Sequence, residues 1–356
     1  MSALLAGAGA WPAAAAEAEA PRKPPRLRPG DTIGLVAPAR FSDDPAQIEP
    51  VKATLAAMGL NAKIAPHVTA RYGYLAGNDR MRADDINAMY ADPAVRAVFA
   101  VQGGWGSARL LPYLDWDLIR AHPKLLVGFS DITALHLAFA ANAGFPTVHA
   151  PNADNGWQEM SRSSFHSLAF DAATPLFRSP DPATLNPAIL NPGAPDPSSP
   201  NPPSPGPAAQ ERWRTTAIRP GIASGILVGG NLSVLCALVG TPWLPPFEGR
   251  ILFLEETGEA EYRVDRMLTQ LGQAGILARL AGIVFGQCAR CTGNVPDYSG
   301  FTIPQLLAQH LAPLGVPAFS GANIGHVANQ FAIPEGVRAE IDAAAGTIRI
   351  LEPAVV

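Results

Sequence analysis

Residues 125–139 read Leu-Leu-Val-Gly-Phe-Ser-Asp-Ile-Thr-Ala-Leu-His-Leu-Ala-Phe, an apolar run followed by apolar residues at helical spacing. The pattern predicts a strand that turns sharply into a helix at Ser130, which lifts the serine hydroxyl out of the sheet. The first backbone N–H groups of such a helix point at whatever the serine would attack. The stretch therefore predicts a nucleophile elbow in an α/β sheet, and a serine hydrolase is the first functional hypothesis.

Ser130 also fits a simpler explanation. Serine is a favoured N-cap residue, because its hydroxyl accepts a hydrogen bond from a backbone N–H of the first helical turn. The motif is Gly-x-Ser and lacks the second glycine of the usual elbow pattern. The local sequence leaves catalysis and helix capping open, and the rest of the chain must decide between them.

The overall composition excludes several classes of protein. The chain has 356 residues, of which 48% are hydrophobic and 16% charged, and this length suits two domains. Its formal net charge of −4, without a basic run, argues against a nucleic-acid-binding surface. No segment in the body of the chain has the length and apolarity of a membrane span. We therefore expect neither nucleic-acid binding nor membrane insertion.

The cysteines do not indicate a metal or redox site. Three cysteines are too few for a disulfide framework. Cys288 and Cys291 form a C-x-x-C pair, but no second pair completes a zinc site. The pair precedes a loop, whereas the redox motif opens a helix. We predict a structural or incidental role for this pair.

Strand and helix patterns alternate along the chain, which is typical of parallel strands covered by helices. The predicted strands of the first half are 32–38, 61–65, 95–101 and 147–149, and the predicted helices are 45–58 and 79–90. The second half has predicted strands at 225–228, 250–255 and 281–285 and helices up to 239, at 262–274 and at 303–314. The runs 337–341 and 347–351 predict a terminal hairpin.

Two segments interrupt this alternation. Residues 178–207 are crowded with proline, which removes backbone donors, so no packed element is expected there. The N-terminus has an alanine-rich apolar stretch that resembles part of a signal peptide but lacks the positive region before it. The predicted location is therefore cytoplasmic, or periplasmic if this leader is an export signal. The predicted units are a leader or disordered segment (1–27), an N-terminal α/β domain with the nucleophile (28–165), a Pro-rich linker (166–215) and a C-terminal domain (216–354).

A serine nucleophile needs a base within reach and a carboxylate that fixes the tautomer of that base. Among the seven histidines, His326 lies in a glycine-flanked loop, where functional side chains collect. His149 ends a predicted strand and is a candidate for the cleft wall, whereas His136 is expected to pack beside its own helix. Glu255 ends the strand 250–255, at the edge where ligands bind in α/β sheets.

Glu255 has an alternative explanation as a solvated turn residue in an acidic run. Its nearby competitors for the same role are Glu256, Glu259 and Glu261. The turn Gly103–Ser107, directly after a strand, also allows two interpretations. It is either a phosphate cradle or a tight turn whose backbone N–H stabilises an oxyanion. It lacks the complete G-x-G-x-x-G pattern, so a nucleotide-dependent oxidoreductase is not supported.

Several separated motifs occur in one order from about residue 28 to residue 352. They are Arg28–Asp31, Val36–Pro38, Gly103–Ser107, Arg109–Leu111, Gly128–Asp131, Gly229–Leu232, Leu254–Glu256, Tyr262–Arg266 and Gly325–His326. With these motifs the chain resembles the LD-carboxypeptidase family of serine peptidases, which contains muramoyltetrapeptide carboxypeptidases and microcin C immunity peptidases. The resemblance departs at Gln102 and Trp105, where relatives usually have arginine and tyrosine, and at Glu256, where they usually have aspartate.

The resemblance implies a catalytic triad that is split between two domains. Ser130 would be the nucleophile, His326 the general base and then acid, and Glu255 the orienting carboxylate. The backbone N–H groups of Gly104 and Asp131 would stabilise the oxyanion. The fold implied is a flavodoxin-like N-terminal α/β domain with a parallel sheet and the nucleophile elbow, followed by a β-rich α/β C-terminal domain. No metal or organic cofactor is expected.

The resemblance also implies a function, hydrolysis of the L-to-D peptide bond that releases terminal D-alanine from murein tetrapeptides during peptidoglycan recycling. An alternative with the same chemistry is an immunity-type peptidase that cleaves peptidyl or aminoacyl nucleotide toxins. An alternative of another class is a non-catalytic binder of peptidoglycan fragments. The candidate substrate-binding residues are Trp105, His149 and Asn231, and relatives suggest a homodimer.

Overall fold

The computed structural model describes residues 23–42, 46, 48–154, 156–180, 214–291, 299–327 and 329–356. Within these ranges, fourteen strands form one six-stranded and one eight-stranded sheet, and eight α-helices accompany them. The predicted leader up to residue 22 and most of the Pro-rich linker, residues 181–213, lie outside the described residues. The two-sheet α/β architecture confirms the predicted fold class.

The secondary structure follows the predicted alternation over most of the chain. The strands are β1 (Thr32–Val36), β2 (Asn61–Ile64), β3 (Val95–Ala100), β4 (Leu125–Gly128), β5 (Thr147–His149), β6 (Leu176–Arg178), β7 (Thr216–Arg219), β8 (Ile222–Asn231), β9 (Ile251–Thr257), β10 (Gly282–Ala289), β11 (Ala318–Ser320), β12 (Ile333–Glu335), β13 (Arg338–Asp342) and β14 (Thr347–Ile350). The α-helices are α1 (Ile48–Ala57), α2 (Asp79–Ala91), α3 (Trp116–Ala121), α4 (Thr133–Asn142), α5 (Glu159–Ala169), α6 (Leu232–Ala237), α7 (Glu261–Gln273) and α8 (Ile303–Leu311).

The first sheet has the strand order β12-β5-β4-β3-β1-β2. Strands β1 to β5 are parallel and follow the order 2-1-3-4-5, which is the order of flavodoxin-like domains. The central strands β3 and β4 are almost completely buried, which explains their continuous apolar runs. In such a sheet, ligands bind at the carboxyl ends of the strands, beside the point where the strand order reverses. Here that point lies between β1 and β3.

The second sheet has the order β6-β14-β13-β8-β9-β10-β11-β7. Its central strands β8 to β11 are parallel, whereas β13, β14 and the two edge strands run antiparallel to their neighbours. Helix α7 buries Val264, Met267, Leu268 and Leu271 on one side, as its spacing predicts. The predicted terminal hairpin is confirmed as β13 and β14.

The two sheets meet around α4, the helix that follows Ser130. Its residues Thr133–Phe139 are all buried. The backbone N–H of Asn231 donates to Thr133 Oγ1 at 2.9 Å. A Cβ on Gly230 would lie 2.3 Å from that same oxygen, and Gly230 has a φ of +123°. Glycine is therefore required for the end of β8 to approach α4 this closely.

Four segments differ from the predicted organisation. Residues 23–27 belong to the predicted leader but pack on the body, because Leu27 is buried and its N–H donates to Ala169 O at 2.8 Å. Helix α5 crosses the predicted boundary at residue 165, and β6, inside the predicted linker, pairs with β14. Strand β12 comes from the C-terminal half and pairs with β5 in the first sheet. The domain limits themselves stay a prediction.

Cys288 and Cys291 are joined by a disulfide at the end of β10, a local link rather than a framework. No group of three or more His, Cys, Asp or Glu side chains in the described ranges could hold a metal ion. Over the same part of the chain, no helix combines the length and the apolarity needed to cross a bilayer.

Glu335, on β12, is a buried acid between the two sheets. Gly229 N–H on β8 donates to its Oε2 at 3.1 Å. Its Oε1 has no hydrogen-bond partner among the described residues and lies 3.9 Å from His136 Nδ1. Burial raises the pKa of Glu335 to about 8, and burial lowers the pKa of His136 to about 4. Both groups are therefore mainly neutral at neutral pH and do not form an ion pair.

We predict that Glu335 makes the stability depend on pH. The folded protein keeps a proton that the unfolded chain releases above the usual glutamate pKa of 4.5. The contribution of Glu335 to the free energy of unfolding therefore falls as the pH rises from about 4.5 to 8, and Glu335→Gln should remove this contribution. Thermal denaturation at pH 5, 6, 7 and 8 measures it, with Glu340→Gln on β13 as the control. If the melting temperatures of wild type and Glu335→Gln differ by the same amount at every pH, the prediction is wrong.

Candidate active site

Ser130 lies at a strained turn between β4 and α4. It is a non-glycine residue with a φ of +65°, in the left-handed region, and it begins the 3-10 turn Ser130–Ile132. The preceding Phe129 N–H donates to Asn152 Oδ1 at 3.1 Å, which fixes the turn from the β5 side. Strain of this kind persists only where the surroundings enforce it, and it is the geometry of a nucleophile elbow.

Three side chains that are distant in sequence form one hydrogen-bonded chain at this turn. His326 Nε2 lies 3.0 Å from Ser130 Oγ, and His326 Nδ1 lies 2.7 Å from Glu255 Oε2. These distances suit the tautomer in which Nδ1–H donates to Glu255 Oε2 and Nε2 accepts from the serine hydroxyl. The structure thus brings together Ser130, His326 and Glu255, and their catalytic roles stay a prediction.

Glu255 is completely buried near the end of β9, and it faces His326 because of a glycine in the loop between β11 and β12. A Cβ on Gly325 would lie 2.5 Å from Glu255 Oε2, and Gly325 has a φ of +103°. The ring of His326 also packs against Phe129, with the ring centroids 4.8 Å apart. The imidazole is therefore held by the carboxylate, by the loop backbone and by an aromatic neighbour.

Glu256 is the nearest alternative to Glu255 for the carboxylate beside His326. Its side chain points to the opposite face of β9. It accepts hydrogen bonds from Ser233 N–H at 2.8 Å, from Ser233 Oγ at 2.7 Å and from Asn231 Nδ2 at 3.1 Å. Burial raises the pKa of Glu256. These contacts fix the first turn of α6, so the structure separates the roles of the two neighbouring acids.

An open cleft of about 230 Å³ lies over Ser130. Its lining residues are Arg40, Gln102, Gly103, Gly104, Phe129, Ser130, Asn152, Asp154 and His326. They follow the carboxyl ends of β1, β3, β4 and β5 or belong to the His326 loop, so the cleft lies at the edge where ligands bind in this fold. Arg40, Asn152 and Asp154 were not predicted, although their positions directly after strands are the signal that would have found them.

Of the two predicted oxyanion donors, Gly104 lines the cleft and Asp131 directly follows Ser130. The turn Gly103–Ser107 is tied to the elbow, because Ser107 N–H donates to Asp131 Oδ2 at 2.8 Å and Ser107 Oγ donates to Asp131 O at 2.5 Å. Burial raises the pKa of Asp131. The oxyanion role of the two backbone N–H groups stays a prediction.

The structure does not bring the predicted substrate-binding residues into the cleft. His149 is completely buried and packs edge-on against Phe129 and Phe253, because β9 of the second sheet covers it. Asn231 is buried as the N-cap of α6, where its Oδ1 accepts from Val234 N–H at 3.1 Å. Neither residue is in the described cleft lining, and their role in substrate binding stays a prediction. Trp105 is 44% exposed beside Gly104 and is not part of the described cleft lining.

Comparison with protein families identifies both halves of the chain. The model of the LD-carboxypeptidase N-terminal domain matches residues 33–150, and that of the LD-carboxypeptidase C-terminal domain matches residues 224–341. The chain belongs to the LD-carboxypeptidase family. It is therefore a carboxypeptidase of the serine type, as its motifs indicated.

Individual relatives agree with this family. A Bacillus subtilis protein named probable murein peptide carboxypeptidase is 33% identical over 325 residues, which cover 91% of this chain and 93% of that protein. The crystal structure of muramoyltetrapeptide carboxypeptidase from Oxalobacter formigenes has a TM-score of 0.71 and 26% identity, covering 90% of this chain and 97% of that one. The microcin C7 self-immunity protein MccF has a TM-score of 0.80 at 22% identity, covering 94% and 100%, and so shares the fold.

We predict that Glu255 and Glu256 respond differently to loss of charge. In this LD-carboxypeptidase, Glu255→Gln removes the carboxylate that orients His326 and should slow fluorophosphonate labelling of Ser130 by about 10³- to 10⁴-fold. Glu256→Gln should lower the melting temperature and keep most of the labelling rate, because Glu256 contacts α6. Labelling kinetics of both variants check this, and equal losses of rate would contradict the separation of roles.

We also predict that Gly325 is needed for the Glu255–His326 hydrogen bond. Gly325→Ala would place a Cβ 2.5 Å from Glu255 Oε2 and should displace the carboxylate. Labelling of Ser130 should then fall at least about tenfold, since a misplaced general base loses much of its effect. Gly315→Ala is the matched control, because Gly315 has a φ of +78° but no atom near the added Cβ. A similar loss in both variants would mean that backbone strain, and not the contact with Glu255, causes the effect.

Proposed function

We propose that the protein is a serine LD-carboxypeptidase that hydrolyses the L-to-D peptide bond releasing terminal D-alanine from murein tetrapeptides. One observation carries this proposal: the chain from Ser130 Oγ through the His326 ring to Glu255 Oε2, with steps of 3.0 and 2.7 Å, opens into a cleft. Hydrogen-bonded nucleophile, base and carboxylate in this order support acyl transfer.

In the acylation step, Ser130 Oγ attacks the carbonyl carbon of the bond before D-alanine. His326 Nε2 takes the serine proton, and the Glu255 carboxylate stabilises the imidazolium that forms. The negative charge on the former carbonyl oxygen is stabilised by the backbone N–H groups of Gly104 and Asp131. The C–N bond then breaks, and His326 gives its proton to the departing amine of D-alanine.

In the deacylation step, His326 acts again, first as a base and then as an acid. A water molecule gives a proton to His326 Nε2 and attacks the ester carbonyl of the acyl-enzyme. The Ser130–carbonyl bond breaks, the proton returns to Ser130 Oγ and the tripeptide leaves with a new carboxylate. Every proton moves through one imidazole, so this scheme uses only the described side chains and water.

The relatives support the choice of substrate. The Bacillus subtilis relative is named for murein peptides, and the Oxalobacter formigenes protein for muramoyltetrapeptide. The fold is shared with MccF, so cleavage of an aminoacyl or peptidyl nucleotide toxin is the second candidate. A cytoplasmic location, the periplasmic alternative and a homodimer stay predictions, which mass spectrometry of the mature N-terminus and light scattering can check.

We predict that the purified protein releases D-alanine from murein tetrapeptide and that Ser130→Ala abolishes this release while peptide binding is kept. The loss in kcat should be of the order of 10⁶-fold, as for other triad serines. An enzyme-coupled D-alanine assay measures turnover, and calorimetry measures binding. Higher kcat/KM on an aminoacyl sulfamoyl adenylate would favour the toxin peptidase, and binding without turnover by the wild type would indicate a non-catalytic binder.

A further inference from the structure

Arg40 is the only lysine or arginine among the described residues that line the cleft. A carboxypeptidase must recognise a free carboxylate, and a carboxylate that leaves water needs a charged or N–H partner. We propose that Arg40 binds the terminal carboxylate of the peptide substrate. The kind of peptide in this inference rests on the proposed function. The choice of Arg40 rests on the geometry of the cleft.

The backbone around Arg40 places it beside the nucleophile. Arg40 follows β1, and its N–H donates to Gly103 O at 3.3 Å. A Cβ on Gly104 would lie 2.8 Å from Arg40 Cβ, and a Cβ on Gly103 would lie 3.4 Å from Ser130 Oγ. Only the backbone of the turn Gly103–Gly104 therefore lies between the aliphatic part of the Arg40 side chain and the Ser130 hydroxyl.

The position matches the chemistry of a terminal residue. In the substrate, only the amide nitrogen and one Cα separate the scissile carbonyl from the terminal carboxylate. The cation that binds this carboxylate must then lie within about one residue of the nucleophile. The backbone N–H groups of Gly104 and Asp131 are assigned to the oxyanion and cannot serve the carboxylate as well. Arg40 meets the requirement, and its planar guanidinium can bind a carboxylate through two hydrogen bonds.

Asp154 gives the cleft wall a second charge, of opposite sign. Gln102 donates a hydrogen bond to the Asp154 carboxyl, and removal from water raises the pKa of Asp154 to about 6. The charge of Arg40 acts in the other direction and favours the ionised form of Asp154. At neutral pH, Asp154 should repel a bound carboxylate, so loss of Asp154 and loss of Arg40 should have opposite effects on its binding.

The test compares two peptides in the Ser130→Ala background, where no turnover occurs. One is the murein tetrapeptide with a free D-alanine carboxylate, and the other is the same peptide with a carboxamide end. Calorimetry should show that Ser130→Ala binds the acid roughly 10- to 100-fold more tightly than the amide, the range expected for a charged hydrogen-bonded pair. Adding Arg40→Gln should bring this ratio close to one, and Arg40→Lys should keep part of it.

Two control variants sharpen the comparison. Arg71→Gln removes a neighbouring cation that stacks on Phe41 at 4.5 Å and is not among the residues described as lining the cleft, so the preference for the acid should stay. Asp154→Asn should increase the preference, because a repelling charge is lost. A preference that keeps its full size in Arg40→Gln, or an absence of preference in Ser130→Ala itself, overturns the inference.

The same set of measurements separates this inference from the proposed function. If wild type releases no D-alanine but the acid preference depends on Arg40, the proposed reaction is wrong and the carboxylate site stands. If D-alanine is released and the acid preference does not depend on Arg40, the proposed reaction stands and the role of Arg40 is wrong.

Discussion

The hydrogen bond from Asn231 N–H to Thr133 Oγ1, at 2.9 Å, joins α4, the helix that follows Ser130, to the second sheet. Ser130 follows β4 of the first sheet, whereas Glu255 lies near the end of β9 in the second. Their separation is therefore set by how closely α4 and β8 approach each other. The missing side chain of Gly230 permits that approach, since a Cβ there would collide with Thr133. This contact therefore helps to set the distance between Ser130 and the pair formed by Glu255 and His326.

Local patterns in the sequence predicted most of the fold. Burial leaves a local pattern in three of these elements. It makes Leu125–Val127 a continuous apolar run, gives helix α7 one apolar side and marks the strands of the terminal hairpin. The short strands β6, β7 and β12 were missed, because three or four residues do not define a period and their partners lie far away in sequence. Helix α5 was missed for another reason. Its buried side includes Ser161 and Ser164, whose hydroxyls satisfy backbone groups of a distant segment.

The candidate site was predictable where a residue type and its motif are both required by the chemistry. This condition was met by Ser130, His326 and Glu255. Their roles are inferred from the motifs, and the structure adds the hydrogen bonds that join the three side chains. His149 and Asn231 did not meet it, because packing of one sheet on the other decides whether a residue after a strand faces the cleft or the core. Arg40 and Asp154 follow predicted strands, but many residues do, and only the assembled strand order shows that these two lie beside Ser130.

The return of β12 to the first sheet has a consequence for biosynthesis. Its residues Ile333–Glu335 pair with β5, and they follow the loop that carries His326. During translation, the edge of β5 stays unpaired until Ile333–Glu335 have left the ribosome, and exposed edges invite association with other chains. The His326 loop is made just before β12, so the hydrogen bonds of the cleft also form late. A nascent chain that stalls before His326 would thus expose the edge of β5 and would lack the hydrogen bonds that join Ser130, His326 and Glu255.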